Sequence, residues 1–334
     1  MRILKNSDYK LFEQMAQLKQ PSLLKTMGSY LKRHYESTVI TKDYIYSIGD
    51  IPIAIVAHLD TVFKFPPHNI YYDERKNVMW SPEGLGADDR AGVFAIVKII
   101  RAGYKPHIIL TTNEEVGGVG ARALVSDNPV PFADMKYIIE LDRHGTNDCV
   151  FYDCENKDFT QYVESFGFIE NIGSYSDISE ICPVWKIAGV NLSIGYEDEH
   201  SISETLHINP FLATIDKVIN MLKAAKDAPY FKYIPNPYAY KWGAIGNNFD
   251  ISGWVNCAKC KNMFSEYELF PVKCLDGKTR FYCPDCLVGK VDWCISCQEA
   301  FELDESNIDS VLCKDCGGGK TECGSMKSKI NLKM

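Results

Sequence analysis

Ten of the thirteen cysteines in this 334-residue chain fall between Cys257 and Cys323, and eight of them form four C-x-x-C pairs. That distribution divides the chain in two. A short segment rich in cysteine and poor in large apolar side chains cannot build a core of its own, and needs cross-links or bound metal to fold. The rest of the chain holds only Cys149, Cys154 and Cys182, which read as ordinary buried thiols. The N-terminal residues show no apolar stretch followed by a small-residue cleavage site. The expected compartment is therefore a reducing cytoplasm, where C-x-x-C pairs bind metal rather than each other.

The pairs repeat. Cys257-x-x-Cys260-x-x-x-Phe264 is echoed by Cys294-x-x-Cys297-x-x-x-Phe301, and each is followed by a closing pair, Cys283-x-x-Cys286 and Cys313-x-x-Cys316. Four thiolates around one tetrahedral ion make the closed shell of a structural zinc site. Eight cysteines supply two such shells. Sequential pairing gives Cys257, Cys260, Cys283 and Cys286, then Cys294, Cys297, Cys313 and Cys316; a crossed arrangement joins the first pair to the third and the second to the fourth. Acidic residues outnumber basic ones across this segment, and the whole chain carries a formal charge of -8. A phosphate-tracking surface needs the opposite sign, so nucleic acid is not the expected partner. Docking of a protein or presentation of a substrate is.

Before residue 230 strand-like and helix-like segments alternate. Apolar spacing predicts helix over 8–35, and β-rich sequence covers 38–48 and 51–57. Helix is expected over 89–102, strand over 107–112, a small-residue helix over 118–125 and strand over 135–141. Helix over 156–166, strand over 190–195 and a long helix over 210–226 complete the pattern. Such alternation implies an α/β domain with a mixed β-sheet flanked by helices. The expected division is a catalytic domain over 1–230, a linker over 231–253, the two cysteine repeats over 254–318 and a disordered tail over 319–334. No apolar run approaches the 18 or so residues that a membrane span requires.

Five short segments place metal-binding side chains at predicted strand ends or in the loops that follow. They are Ala57-His58-Leu59-Asp60-Thr61-Val62, Gly86-Ala87-Asp88-Asp89-Arg90-Ala91-Gly92, Asn113-Glu114-Glu115-Val116-Gly117, Glu140-Leu141-Asp142-Arg143 and His200-Ser201-Ile202-Ser203-Glu204. Open α/β sheets collect their ligands at strand C-termini. Imidazoles mixed with carboxylates suit zinc, and also cobalt or manganese.

In this order the segments resemble the co-catalytic zinc exopeptidases, a group that includes peptidase T, leucyl and glutamyl aminopeptidases and related deacylases. The resemblance covers roughly residues 50–222. It implies that His58, Asp88 and Asp142 hold one metal, that Asp88, Glu115 and His200 hold a second, and that Asp88 bridges them. Asp88 is preferred to Asp89 because the group's bridging aspartate precedes a glycine by four residues, here Gly92. Asp60 would bond the second nitrogen of His58 and fix its tautomer. Glu114 would be the general base. Only 57 residues separate Asp142 from His200, which leaves no room for the separate lid domain of the peptidase T branch and points to a single-domain catalytic unit.

The activity so implied is hydrolysis of a peptide bond by an aminopeptidase with two catalytic zinc ions, beside two structural ones. A deacylase or carboxypeptidase acting on an N-acyl amino acid is the alternative within the group. A binding protein that works through its cysteine module is the alternative outside it. An oligomer is compatible with each. Other residues have a local reading: Asp89 and Arg90 cap a helix or orient Asp88, while His144, His207, Tyr196 and the pair Ser176-Asp177 are candidates for the substrate pocket.

Overall fold

Two helices, α1 (Asn6–Ala16) and α2 (Gln20–His34), open the computed structural model, which describes residues 3–235, 254–260, 263–265, 270–274, 279–283, 286, 291–293 and 300–302. Apolar spacing runs through 8–35 without a break. The interruption falls where Pro21, having no amide hydrogen, fits a first helical turn. Strands β1 (Ser37–Ile40), β2 (Tyr44–Ile48) and β3 (Ile51–His58) follow, then the short β4 (Tyr71–Asp73) and β5 (Val78–Trp80). Next come α3 (Ala87–Arg101), β6 (Pro106–Thr111), α4 (Val119–Asp127), β7 (Ile138–Arg143), β8 (Asp148–Val150) and α5 (Lys157–Glu164). The remaining elements before residue 235 are β9 (Ile169–Glu170), α6 (Asp177–Trp185), β10 (Gly189–Ser193), β11 (Tyr196–Glu197), β12 (Thr205–His207) and α7 (Ile208–Ala224).

Eight of these strands form one mixed sheet in the order β1-β2-β6-β3-β7-β10-β8-β9. The central four, β6, β3, β7 and β10, are parallel, and antiparallel β2 and β8 flank them. Successive side chains go to opposite layers. Ile53, Ile55, Ala57, Ile108 and Leu110 pack with α1, α3 and α7, whereas Ala54, Val56 and Ile109 pack with α4 and α6. Burial on both faces is why these strands read as unbroken apolar runs rather than as alternation. On the first face Phe94 of α3 stacks on Phe211 of α7 at 5.2 Å and meets Phe12 of α1 edge-on at 5.6 Å.

Helix α6 has no periodic signature in the sequence because Pro183 lies inside it. It is started by a capping box between Ser176 and Ser179, and its last residue, Trp185, donates to the Asn128 carbonyl at 2.8 Å. A second sheet, in the order β11-β12-β5-β4, joins strands of two or three residues each. It pairs Leu206 with Met79 across more than a hundred residues.

Gly92 sits where α3 crosses β7. A β-carbon there would collide with the Leu141 carbonyl oxygen and both carboxylate oxygens of Asp89. We expect Gly92→Ala to cost about 1–3 kcal/mol of stability, read as a lower denaturation midpoint. An unchanged midpoint would mean that α3 shifts without cost.

The chain divides into two compact units, Met1–Ala239 and Tyr240–Met334. Residues 231–235, expected to open the linker, are part of the first. Phe231 is buried against Tyr137, Phe159 and Tyr162, and its amide donates to the Lys136 carbonyl at 2.9 Å. Residues 236–253 and the tail expected over 319–334 lie outside the described residues. No helix among the described residues is long and apolar enough to cross a membrane.

The second unit contains β13 (Trp254–Asn256), β14 (Met263–Ser265), β15 (Phe270–Lys273), β16 (Thr279–Tyr282), β17 (Val291–Trp293) and β18 (Ala300–Glu302). The internal repeat becomes two equivalent strand pairs. Val255 pairs with Phe264 in β13-β14, and Asp292 pairs with Phe301 in β17-β18, the same nine-residue separation in each. Each leading C-x-x-C thus falls, in sequence, between the two strands of its pair.

Candidate metal centre

The C-terminal ends of the central strands converge on one place. His58 is the last residue of β3, Asp142 lies one residue from the end of β7, and Glu114 and Glu115 follow β6 by three and four residues. Asp88 stands at the start of α3, where Asp88 and Asp89 have non-helical backbone and their peptide is cis. His200 lies between β11 and β12 with a left-handed φ of 62°. His58, Asp88 and Asp142 offer ligand atoms all within 4.8 Å of one another, as do Asp88, Glu115 and His200. Asp88 belongs to both groups. Its Oδ1 is 3.0 Å from His58 Nε2 and its Oδ2 is 3.1 Å from His200 Nε2, so its two oxygens face opposite histidines.

Neighbouring groups hold these side chains in place. Asp60 Oδ1 lies 3.3 Å from His58 Nδ1, and the two Asp60 oxygens accept the amides of Glu114 and Glu115 at 3.1 Å each. One carboxylate therefore ties the β3 end to the β6 end. Asp89 accepts the amides of His58 at 3.1 Å and Gly92 at 2.8 Å, which joins β3 to the first turn of α3. Arg90 donates to the carbonyls of Leu59 and Leu18. Two further residues carry no motif signal of their own role. Glu204, the acidic residue of the last motif, accepts the amides of Ala87 at 2.9 Å and Asp88 at 3.0 Å. Asn191 of β10 clamps Asp142, accepting its amide at 2.9 Å and donating to its carbonyl at 2.7 Å. The one hint of Asn191 in the sequence is an amide side chain in the middle of the apolar strand Val190-Asn191-Leu192.

Residues 46–166 match the family model described as Peptidase family M28. The match takes in His58, Asp60, Asp88, Glu114, Glu115 and Asp142 and ends before His200. No curated protein matches the chain. Among solved structures, the aminopeptidase PepT of Bacillus cereus aligns at TM-score 0.51 and 13% identity, over 67% of this chain and 99% of its own. A tripeptidase of Staphylococcus aureus aligns at 0.52 and 13%, over 68% and 100%. The TET aminopeptidase of a marine-sediment Thaumarchaeota archaeon aligns at 0.50 and 14%, over 66% and 97%. Likeness at such identities speaks for the fold alone: the first unit is an α/β domain with a mixed sheet flanked by helices, and its fold resembles that of these peptidases.

The donor set fits divalent cations. Acidic side chains outnumber the two histidines in a largely buried space, and Glu115 Oε1 is buried without a hydrogen-bond partner among the described residues. In the metal-free protein this crowding has a pH signature. Burial pushes Asp142 up to about 8 from an ordinary 3.8, with Asp88 adding and His58 opposing. Burial likewise pushes Glu114 up to about 9 from 4.5, with His58 opposing and Asp142, Asp177 and Glu115 adding. Hydrogen bonds to Asp88 and Glu115 raise His200 to about 11.

Each of these groups keeps in the folded state a proton that the unfolded chain has released. Stability of the metal-free protein should therefore fall as the pH rises from about 5 to 9. Zinc should flatten that slope, because its ligands are ionised when bound. Unfolding midpoints with and without a chelator measure both. Equal slopes would contradict a centre neutralised by cations.

A cavity of about 340 Å³ opens on the centre, lined by Asp88, Glu114, Asp142, His200, Arg143 and Tyr152 among others. His144 and Glu199 meet in its wall at 2.5 Å, and Tyr196 donates to Asp142 at 3.1 Å. Ser176 and Asp177 do not line it. They are buried beneath, bonded to Glu140 and Thr111. His207 lies within 3.4 Å of Thr205, away from the cavity. His107 is a structural clip between the Gly49 amide and the Asp134 carbonyl.

In the second unit the sulfurs of Cys257, Cys260, Cys283 and Cys286 lie within 4.8 Å of one another, the grouping that sequential pairing describes. Cys260 and Cys283 are 3.9 Å apart, and the Cys283 amide donates to Cys257 at 3.4 Å. These distances suit four thiolates around one ion and are too long for a disulfide. Cys294, Cys297, Cys313 and Cys316 lie outside the described residues. Cys149, Cys154 and Cys182 are buried and free.

Proposed function

We propose that the first unit is a di-zinc exopeptidase acting as an aminopeptidase, with Glu114 as its general base. The observation that carries this reading is Asp88, which turns one oxygen to each histidine beside a carboxylate, Glu114, that belongs to neither ligand group. Zinc ions held by His58, Asp88 and Asp142 and by Asp88, Glu115 and His200 would polarise the scissile carbonyl and lower the pKa of the attacking water. Glu114 lines the cavity and, ionised once bound cations offset its burial, would take the proton from that water and pass it to the leaving amine. Asp60 holds His58 so that its Nε2 faces the metal position and sets the backbone that carries both glutamates. Glu204 fixes the turn on which Asp88 sits.

For the second unit we propose two structural zinc ions, one held by Cys257, Cys260, Cys283 and Cys286 and one by Cys294, Cys297, Cys313 and Cys316. Closed shells of four thiolates leave no open position for chemistry. Docking of a protein partner or presentation of a substrate is the role that its acidic character favours.

The zinc-loaded protein is expected to remove single N-terminal residues from a mixed peptide library, read by mass spectrometry. Release from the C-terminus would assign a carboxypeptidase. Cleavage confined to N-acyl amino acids would assign a deacylase. If nothing is cut by protein shown to hold two zinc ions in the first unit, the hydrolase reading fails and a binding role through the cysteine module takes its place.

A further inference from the structure

The cavity beside the metal centre contains a cation that the proposed reaction does not use. Arg143 ends β7, next to Asp142, and lines the cavity. Its side chain is 13% exposed, yet its guanidinium is poorly satisfied. Nε is buried with no hydrogen-bond partner among the described residues. The nearest carboxylate, Asp148 Oδ2, is 3.6 Å from Nη2, too far for a hydrogen bond, and that oxygen already accepts from Asn171 at 2.8 Å. Arg90, the other largely buried arginine near the site, gives both terminal nitrogens to backbone carbonyls. The Arg143 guanidinium thus has a long ion pair with Asp148 and no hydrogen-bond partner among the described residues, which leaves its donors available to a ligand.

The other charges around the cavity have roles already assigned. Glu199 faces His144, Asp88, Glu115 and Asp142 belong to the ligand groups, and Glu114 is the proposed base. An unsatisfied, water-poor guanidinium is matched best by a carboxylate, which can accept two of its parallel N–H bonds. The cavity's 340 Å³ is near the lower end of the usual ligand-pocket range of about 300–1,000 Å³, which suits one residue of a substrate rather than a long segment.

We infer that Arg143 is a specificity residue that receives a substrate carboxylate, and that the preferred substrates are acidic at the residue held in this cavity. This rests on the exopeptidase reading above. The carboxylate has two sources, the side chain of an N-terminal Asp or Glu, or the free α-carboxylate of a short substrate. Four peptides separate them: Glu-Ala-Ala, Gln-Ala-Ala and the C-terminal amide of each.

With zinc-loaded full-length protein, the glutamyl peptides should be cut about 10- to 100-fold better in kcat/KM than the glutaminyl ones, the worth of a charged hydrogen bond. Arg143→Gln should erase that preference while leaving the amide of Gln-Ala-Ala within a few-fold of wild type. Arg143→Lys should restore part of it. A preference for free over amidated peptides, lost in Arg143→Gln, would support the same contact and identify the α-carboxylate as its source. Equal rates on all four peptides by the wild type would overturn the inference, whether or not the variant folds. So would an equal loss on all four in Arg143→Gln, which would mark a structural arginine.

If no peptide is cut, the exopeptidase reading has failed, and calorimetry with glutarate still decides the contact. Binding at least tenfold tighter to wild type than to Arg143→Gln supports it, and equal binding ends it.

Discussion

Zinc-loaded Glu114→Gln is expected to keep both metals and to lose at least about 10²–10⁴-fold in kcat, the range typical of a general base. The substitution preserves the volume of the side chain and removes its ability to take a proton. The backbone that carries residue 114 is held by Asp60 through the amides of both residue 114 and Glu115, so the position of the side chain should survive. Metal content by mass spectrometry, alongside turnover on the best library peptide, separates the outcomes. Turnover within tenfold of wild type would remove Glu114 from the mechanism. Loss of one metal together with activity would make Glu114 a ligand and leave Glu115 as the base.

Asp88→Asn is expected to have a larger effect on the metals. Asp88 is shared by both ligand groups, so its loss weakens two sites at once. The amide retains one oxygen, whereas His58 and His200 each face a different oxygen of the native carboxylate. A neutral side chain also withdraws one negative charge from a site that must balance two divalent ions. Zinc bound to the first unit should fall from two equivalents to one or fewer at micromolar free metal, with turnover at background. The fold should persist, because Glu204 contacts the backbone of Ala87 and Asp88 rather than the Asp88 side chain. Two equivalents retained, with turnover within tenfold of wild type, would refute the bridging role.

The ligand groups are legible in the sequence because they are short motifs fixed to strand ends. His58 follows an apolar run, and a run buried on both faces cannot continue past a histidine and an aspartate. What surrounds them is not legible there. Asn191 and Glu204 reach Asp142 and the Asp88 backbone from 49 and 116 residues away in sequence, and no local pattern encodes such pairs. Helix α6 is hidden because its proline masks the helical period, and the small sheet because strands of two or three residues have no period to read. Ser176 and Asp177 mislead for a related reason: a polar pair at a helix start looks like a pocket residue until the helix is seen to bury it.

By itself, then, the amino-acid order picked out the side chains suited to bind metal, placed them at the ends of α/β strands, and set the last part of the chain apart by its cysteine pairs. Strand and helix periods are local, and so is the spacing of a metal motif. Tertiary structure alone decided that Asp88 is shared by two histidines, that Asp60 joins the β3 and β6 ends, and that Arg143 borders the cavity with its Nε buried and unpartnered among the described residues. Those facts depend on which strand ends become neighbours, and pairings between distant segments are set by how the two faces of the sheet are buried, not by any stretch of sequence read in isolation.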